Sequence, residues 1–190
     1  MLFIKTETMS SVSIPLAEGC EELEAVTIID LLRRAGIQVV VAGLAAGPVH
    51  CSRGTMIVPD VALDEVLTQP FDMIVLPGGM PGAEHLKNDR RIIHLLQQMA
   101  TAGKYVAAIC AAPMALHAAG LLENRTATSF PGVLDALEGT HTYSTNPVVI
   151  DGNVITSRGP GTAMDFALAL IELLCGADSR NKVEASLQRV

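Results

Sequence analysis

Cys110 stands in AAICAAP, a single thiol between an apolar run and a helical pattern, with only Ala and Ile close beside it. Small neighbours permit a tight strand-to-helix turn with the logic of a nucleophile elbow: the side chain projects at the strand end while the next amide, that of Ala111, points into the same space. A helix N-terminus also favours thiolate. The competing reading is a buried cysteine packed as a small hydrophobe. Gly78-Gly79 follows another apolar run. The pair either frees two backbone N–H groups for an oxyanion or forms a turn that needs positive φ. The acidic cluster Glu18, Glu21, Glu22 and Glu24 complements a helix N-terminus. Glu24 shares a helical face with Ile28 and Leu31, where burial would raise its pKa and keep it protonated. Glu21, aligned with Ile28 and Leu32, is eligible for the same role. No histidine adjoins Cys110: His117 lies two helical turns on and reads as a helix-face residue, and His141 sits in a polar loop, catalytic or solvated.

Bringing these groups together requires a particular fold. Short apolar runs alternate with helical patterns, with no internal repeat or linker. The pattern predicts strands at 11–16, 37–42, 71–76, 105–109, 124–129, 148–150 and 154–157, and a short hairpin excursion across 50–58. Helices are expected at 21–35, at 91–102, immediately after Cys110, and from 159–162 onward. The first has an acidic first turn and Arg33 and Arg34 in its last, which suits the macrodipole. Strands buried on both faces with helices between them imply one domain over 1–190, a flavodoxin-like three-layer α/β/α sandwich with a mostly parallel central sheet. A 2-1-3-4-5 strand order would make loops 17–24, 77–82 and 110–113 neighbours at the carboxyl ends of the strands, where such sheets bind ligands.

Composition narrows the partners. Hydrophobic residues are 49% and charged ones 17% of the 190, so a large core is available and extensive disorder is excluded. A net charge of −7, no basic cluster, 3% aromatics and no Trp argue against a stable nucleic-acid complex. The charge-free run 105–122 is long enough to span a bilayer by residue count, but its Pro113 and His117 suit a strand, turn and helix, so no membrane partner is expected. The apolar start MLFI is too short for a signal-peptide core, which points to the cytoplasm. Cysteines at 20, 51, 110 and 175 form no Cys-x-x-Cys pair, so neither a zinc site nor a disulfide framework is expected, and Cys20 and Cys175 read as structural. No metal site and no nucleotide-binding glycine pattern is visible, so no cofactor is expected.

The motifs AEGCEELEAV (17–26), LLRRAGIQVVVAGL (31–44), CSRG (51–54), VLPGGMPGAE (75–84), AAICAAP (107–113) and TSRGPGTAMDFAL (156–168) resemble, in this order, the ThiJ/PfpI superfamily. The resemblance is to the branch of the parkinsonism-associated protein deglycase and bacterial YajL-like proteins. It implies a strained elbow at Cys110, a protonated Glu24 bonded to that cysteine, and oxyanion contacts from the amides of Gly79 and Ala111. It also implies a homodimer that brings Arg34 and Arg53 near the pocket, and ready oxidation of Cys110 to a sulfinic acid. The activities implied are glyoxalase detoxification of methylglyoxal and glyoxal, with small aldehydes or dicarbonyls as substrates, and deglycation of proteins or nucleotides. The alternative is an oxidative-stress redox sensor or redox-regulated chaperone. Phe130, in SFPG, stands where the parkinsonism-associated protein has a His near the thiol, leaving proton transfer to Glu24, Glu21 or water. Ala111 stands where protease-like members carry a His, which disfavours peptidase activity.

Overall fold

The computed structural model describes residues 9–189, so the apolar start MLFI lies outside the described residues. In chain order the strands are β1 (Ser11–Leu16), β2 (Gln38–Gly43), β3 (Val49–His50), β4 (Met56–Ile57), β5 (Val61–Ala62), β6 (Met73–Leu76), β7 (Tyr105–Ile109), β8 (Thr126–Ala127), β9 (Thr142–Tyr143), β10 (Val148–Asp151) and β11 (Val154–Ser157). The helices are α1 (Glu22–Arg34), α2 (Gly82–Asn88), α3 (Arg90–Thr101), α4 (Pro113–Ala118) and α5 (Ala163–Ser186).

Seven strands form the main sheet in the order β10-β11-β7-β6-β1-β2-β5. The five parallel strands β2, β1, β6, β7 and β11 have the expected 2-1-3-4-5 order, with β5 added parallel at one edge and β10 antiparallel at the other. Period-two alternation builds the three layers. Val12, Ile14, Met73, Val75, Ala107 and Ile109 face one core with Ile28 and Leu32 of α1 and Phe166 and Ile171 of α5. Ile74, Leu76, Val106 and Ala108 face the other, with Leu86 of α2, Leu96 of α3 and Leu116 of α4. Because both faces are covered, β6 (MIVL) and β7 (YVAAI) read as unbroken apolar runs, while β1 buries Ser13 between Val12 and Ile14.

The helical signals hold with adjusted ends. Glu21 caps α1 in an extended conformation (φ −81°, ψ 110°) instead of opening it. The segment before β7 carries two helices: Asp89 is extended between them, and its carboxylate accepts the Arg91 N–H at 2.8 Å to start α3. The strand expected at 124–129 is a correction. Only β8 is extended, and it pairs with β9 in a separate two-stranded sheet. The edge beyond β11 is already held by β10, and the N–H groups of Thr126 and Thr128 go to the side chains of Asp151 and Thr156. The segment 160–186 is long and apolar enough to cross a membrane, yet Gly176 breaks it with φ 81° and ψ 169°, and its apolar face lies in the core with α1.

Candidate active site

The loops after β1, β6 and β7 lie side by side at the carboxyl end of the sheet because those strands are adjacent. Cys110 leaves β7 with φ 64°, a left-handed conformation that costs a non-glycine residue about 1–2 kcal/mol. Its neighbours hold it there: its N–H donates to Ser157 O at 2.9 Å and its carbonyl accepts the Phe130 N–H at 2.8 Å. The helix expected directly after Cys110 begins only at Pro113 and spans six residues, so a long helix N-terminus does not govern the sulfur. Burial pushes the Cys110 thiol up to about 12 instead, with the Glu24 carboxyl adding to the rise and the amides of Gly79 and Ala111 opposing it. This corrects the expectation of a helix-lowered thiol.

Glu24 comes from the first turn of α1 and is fully buried. Burial raises its pKa from 4.5 to about 7, against hydrogen bonds from the Gly78 amide and Cys110. One carboxyl oxygen, Oε2, accepts the Gly78 N–H at 2.8 Å, while Oε1 is buried without a hydrogen-bond partner. Cys110 and Glu24 therefore titrate as a pair. A negative charge on one disfavours a negative charge on the other, and because the thiol lies higher than the carboxyl, Glu24 gives up its proton first and the sulfur keeps its own.

The two glycines divide their work. The amide of Gly79 is aimed at the sulfur, but that of Gly78 is committed to Glu24. The reading of Gly78 as a second oxyanion donor is thus corrected: its contribution is to fix the carboxyl. A Cβ on Gly78 would sit 2.6 Å from Cys110 Cβ and 2.9 Å from Glu24 Oε2. Gly78→Ala should therefore lower stability by about 1–3 kcal/mol through overpacking and displace the carboxyl. A urea midpoint equal to wild type would refute that steric account. Gly79 adopts φ 89°, and its missing Cβ leaves room for the Cys20–Glu21 backbone.

Above Cys110 opens a cavity of about 630 Å³, bounded by Met80, Met114, Phe130, Val133 and Leu137 on its apolar side. Glu21, Ser52 and Arg53 supply polar lining. Glu21 accepts the Ser52 hydroxyl at 2.8 Å, and the Glu22 carboxylate accepts the Arg53 N–H at 3.1 Å, which seats the β3–β4 hairpin on the start of α1. Arg34 is not part of this lining; it pairs with Asp30 at 2.6 Å on its own helix. Phe130 is half exposed at the cavity wall and offers no proton.

Two placements escaped the sequence. His117, read as a helix-face residue, lines the same cavity as Cys110, and burial followed by the neighbouring His141 lowers its pKa. Its ring stands edge-on to His141 at 5.4 Å, while His141 Nε2 is 3.0 Å from Leu134 O. Cys20, read as structural and solitary, lies with its sulfur 3.5 Å from that of Cys51. Cys175 is corrected as well, since it is exposed on α5. Among the described residues no group of three or more His, Cys, Asp or Glu side chains is arranged to hold a metal ion.

Comparison with known proteins agrees with this architecture. The DJ-1/PfpI family profile matches residues 10–173. The chain is 47% identical over 176 residues to Parkinson disease protein 7 homolog of Danio rerio, covering 90% of this chain and 93% of the relative. It is 41% identical over 166 residues to glutathione-independent glyoxalase DJR-1.2 of Caenorhabditis elegans, covering 87% and 89%. The crystal structure of Drosophila melanogaster DJ-1beta superposes with a TM-score of 0.93 at 40% identity, covering 96% of this chain and all of that one. Oxidised Toxoplasma gondii DJ-1 gives a TM-score of 0.90 at 38% identity, covering 94% and 97%. With both its sequence and its flavodoxin-like fold matched over nearly their whole length, the chain belongs to the DJ-1/PfpI family.

Proposed function

We propose that the protein is a cofactor-independent glyoxalase that converts methylglyoxal and water to lactate at Cys110. The observation that carries this reading is the strained Cys110 at the cavity floor, with the amides of Gly79 and Ala111 and the buried Glu24 carboxyl acting on its thiol. Cys110 rests as the protonated member of the pair, and its proton passes to the Glu24 carboxylate as the sulfur adds to the aldehyde carbon, forming the C–S bond of a hemithioacetal. The new alkoxide takes the Glu24 proton, and the two amides stabilise its charge as it develops. Glu24, now a carboxylate, removes the hydrogen of the former aldehyde carbon and returns a proton to the neighbouring carbon, while the hydroxyl proton passes from the first oxygen to the former ketone oxygen. The result is a lactoyl thioester, which water cleaves to lactate and free thiol. Atoms and electrons balance within the substrate, so no external oxidant enters. The glutathione-independent glyoxalase name of the nematode relative supports the same class.

The cavity volume far exceeds a three-carbon dicarbonyl, which leaves room for aldehyde adducts on amines or thiols of glycated proteins or nucleotides. Such adducts revert spontaneously, so removal of free aldehyde would itself register as deglycation. Lactate measured from methylglyoxal without added thiol or amine buffer tests the assignment. Lactate production above the uncatalysed background is expected, and its absence overturns the glyoxalase reading.

A second reading, oxidative sensing at Cys110 or a redox-regulated chaperone, is favoured by the unpartnered Glu24 Oε1. A protonated Oε1 there could donate to an oxygen added on the sulfur, stabilising a sulfinate. We further propose a homodimer in the cytoplasm. Leu23 and Val26 on α1 and Met56 and Val58 on the hairpin are 51%, 49%, 61% and 74% exposed. The Glu22 carboxylate tethers the hairpin to the first turn of α1, joining the elements that carry these exposed side chains. An apolar patch of this kind suits a self-complementary interface, and Arg34 would approach the pocket across it. Light scattering should report twice the chain mass for wild type and a single chain for Val58→Asp; monomeric wild type would refute the dimer.

A further inference from the structure

Cys20 and Cys51 are remote in sequence yet form a buried dithiol. Cys20 follows β1 and Cys51 follows β3, and their sulfurs lie 3.5 Å apart with 1% and 7% of each residue exposed. The backbone brackets the thiols from both sides: the Gly19 N–H donates to His50 O at 2.7 Å and the Ser52 N–H to Cys20 O at 2.8 Å. A covalent sulfur–sulfur bond is about 2.05 Å long, so closing the gap requires movement of roughly 1.5 Å. The hairpin that carries Cys51 has strands of only two residues each, paired at just two positions, which makes it the segment able to move.

We propose that Cys20 and Cys51 constitute a second redox site, converted by hydrogen peroxide to an intramolecular disulfide independently of Cys110. Cys51, the more accessible of the two, attacks a peroxide oxygen through its thiolate, becoming a sulfenic acid as the O–O bond breaks and the first water leaves. The Cys20 sulfur then attacks the sulfenic sulfur, forming the S–S bond and expelling the hydroxyl as the second water. The two sulfurs lose two electrons and two protons in all, and the peroxide gains them. Burial raises the pKa of both cysteines, and the carboxylates of Glu18, Glu21 and Glu22 add to the rise at Cys51. The pair therefore rests as two thiols, held ready side by side but slow to oxidise.

Oxidation here would act on the catalytic cavity through its wall. The segment carrying Cys20 packs against Gly79, where a Cβ would come within 2.6 Å of the Cys20 carbonyl carbon. The hairpin carrying Cys51 presents Ser52 and Arg53 to the cavity. A disulfide would tie these two walls together covalently.

The test is peroxide treatment of the folded full chain, as wild type and as Cys110→Ser, followed by alkylation in denaturant, digestion and mass spectrometry. The expected product is a peptide pair joining Cys20 to Cys51, lighter by two hydrogens and separated by dithiothreitol. It should form at the same rate in both proteins and be absent from Cys51→Ser and from Cys20→Ser. Recovery of both residues as alkylated thiols would overturn the proposal. So would separate oxygen adducts on each, a link to Cys110, or a link between two chains.

Discussion

Cys110→Ser should abolish lactate formation from methylglyoxal, lowering turnover by roughly 10⁴-fold or more, as removal of a catalytic nucleophile does in other enzymes. The substituted oxygen occupies nearly the same space in the same left-handed turn, so the fold should survive. An alcohol ionises far less readily than a thiol, and the Gly79 and Ala111 amides that face the sulfur have no comparable anion to stabilise. Lactate production by purified wild type and variant, with matched circular dichroism, makes the comparison. Lactate formation that persists in the variant at the wild-type rate would remove Cys110 from the reaction and the glyoxalase mechanism with it. In the same assay, consumption of aldehyde without lactate would mark reversible trapping by surface amines.

Glu24→Gln should produce two separable effects. The first is on turnover: the amide can still accept the Gly78 N–H, but it cannot carry the proton, and loss of a general acid–base group costs roughly 10²–10⁴-fold. The second concerns stability and has a defined sign. The folded pKa is raised from 4.5 to about 7, so the folded chain binds the Glu24 proton more tightly than the unfolded chain does. That stabilisation is fully present below the unfolded value and is lost as pH rises through the folded one. A shift of this size corresponds to about 3 kcal/mol, lost between about pH 4 and about pH 8.

The variant has no titrating group at this position, so its stability should lack that decline. Urea unfolding of both proteins across the range, taken as wild type minus variant, isolates Glu24 from the salt-bridged carboxylates of Asp72 and Asp89, whose pKa values are lowered. Parallel pH profiles for the two proteins would show that Glu24 carries no raised pKa.

The reading of Cys110 from sequence rested on local chemistry. A thiol among small residues between a strand and a helical pattern restricts the turn it can occupy, and φ 64° at Cys110 is what that turn requires. Glu24 was legible because 3.6-residue periodicity placed it on the face of α1 that carries Ile28 and Leu31, and all three are buried. The layered sheet followed from apolar runs separated by helical patterns, since strands covered on both faces have no polar side to show. These features were determined within segments of a few residues to a few turns, where periodicity and backbone sterics act.

Tertiary structure decided the rest, because the deciding contacts join segments whose sequence separation carries no signal. Gly78 and Gly79 are chemically identical neighbours, and only the packing of β6 against α1 assigns one amide to the carboxyl and the other to the sulfur. His117 enters the cavity because α4 faces the segment containing Phe130 and Val133, a wall that helix periodicity alone does not reveal. Thirty-one positions separate Cys20 from Cys51, and the β3–β4 hairpin folding back onto the loop after β1 brings their sulfurs to 3.5 Å. The chain encodes each reactive group locally, but distances between groups, and therefore their pKa values and their partners, are set by which strands lie adjacent in the sheet.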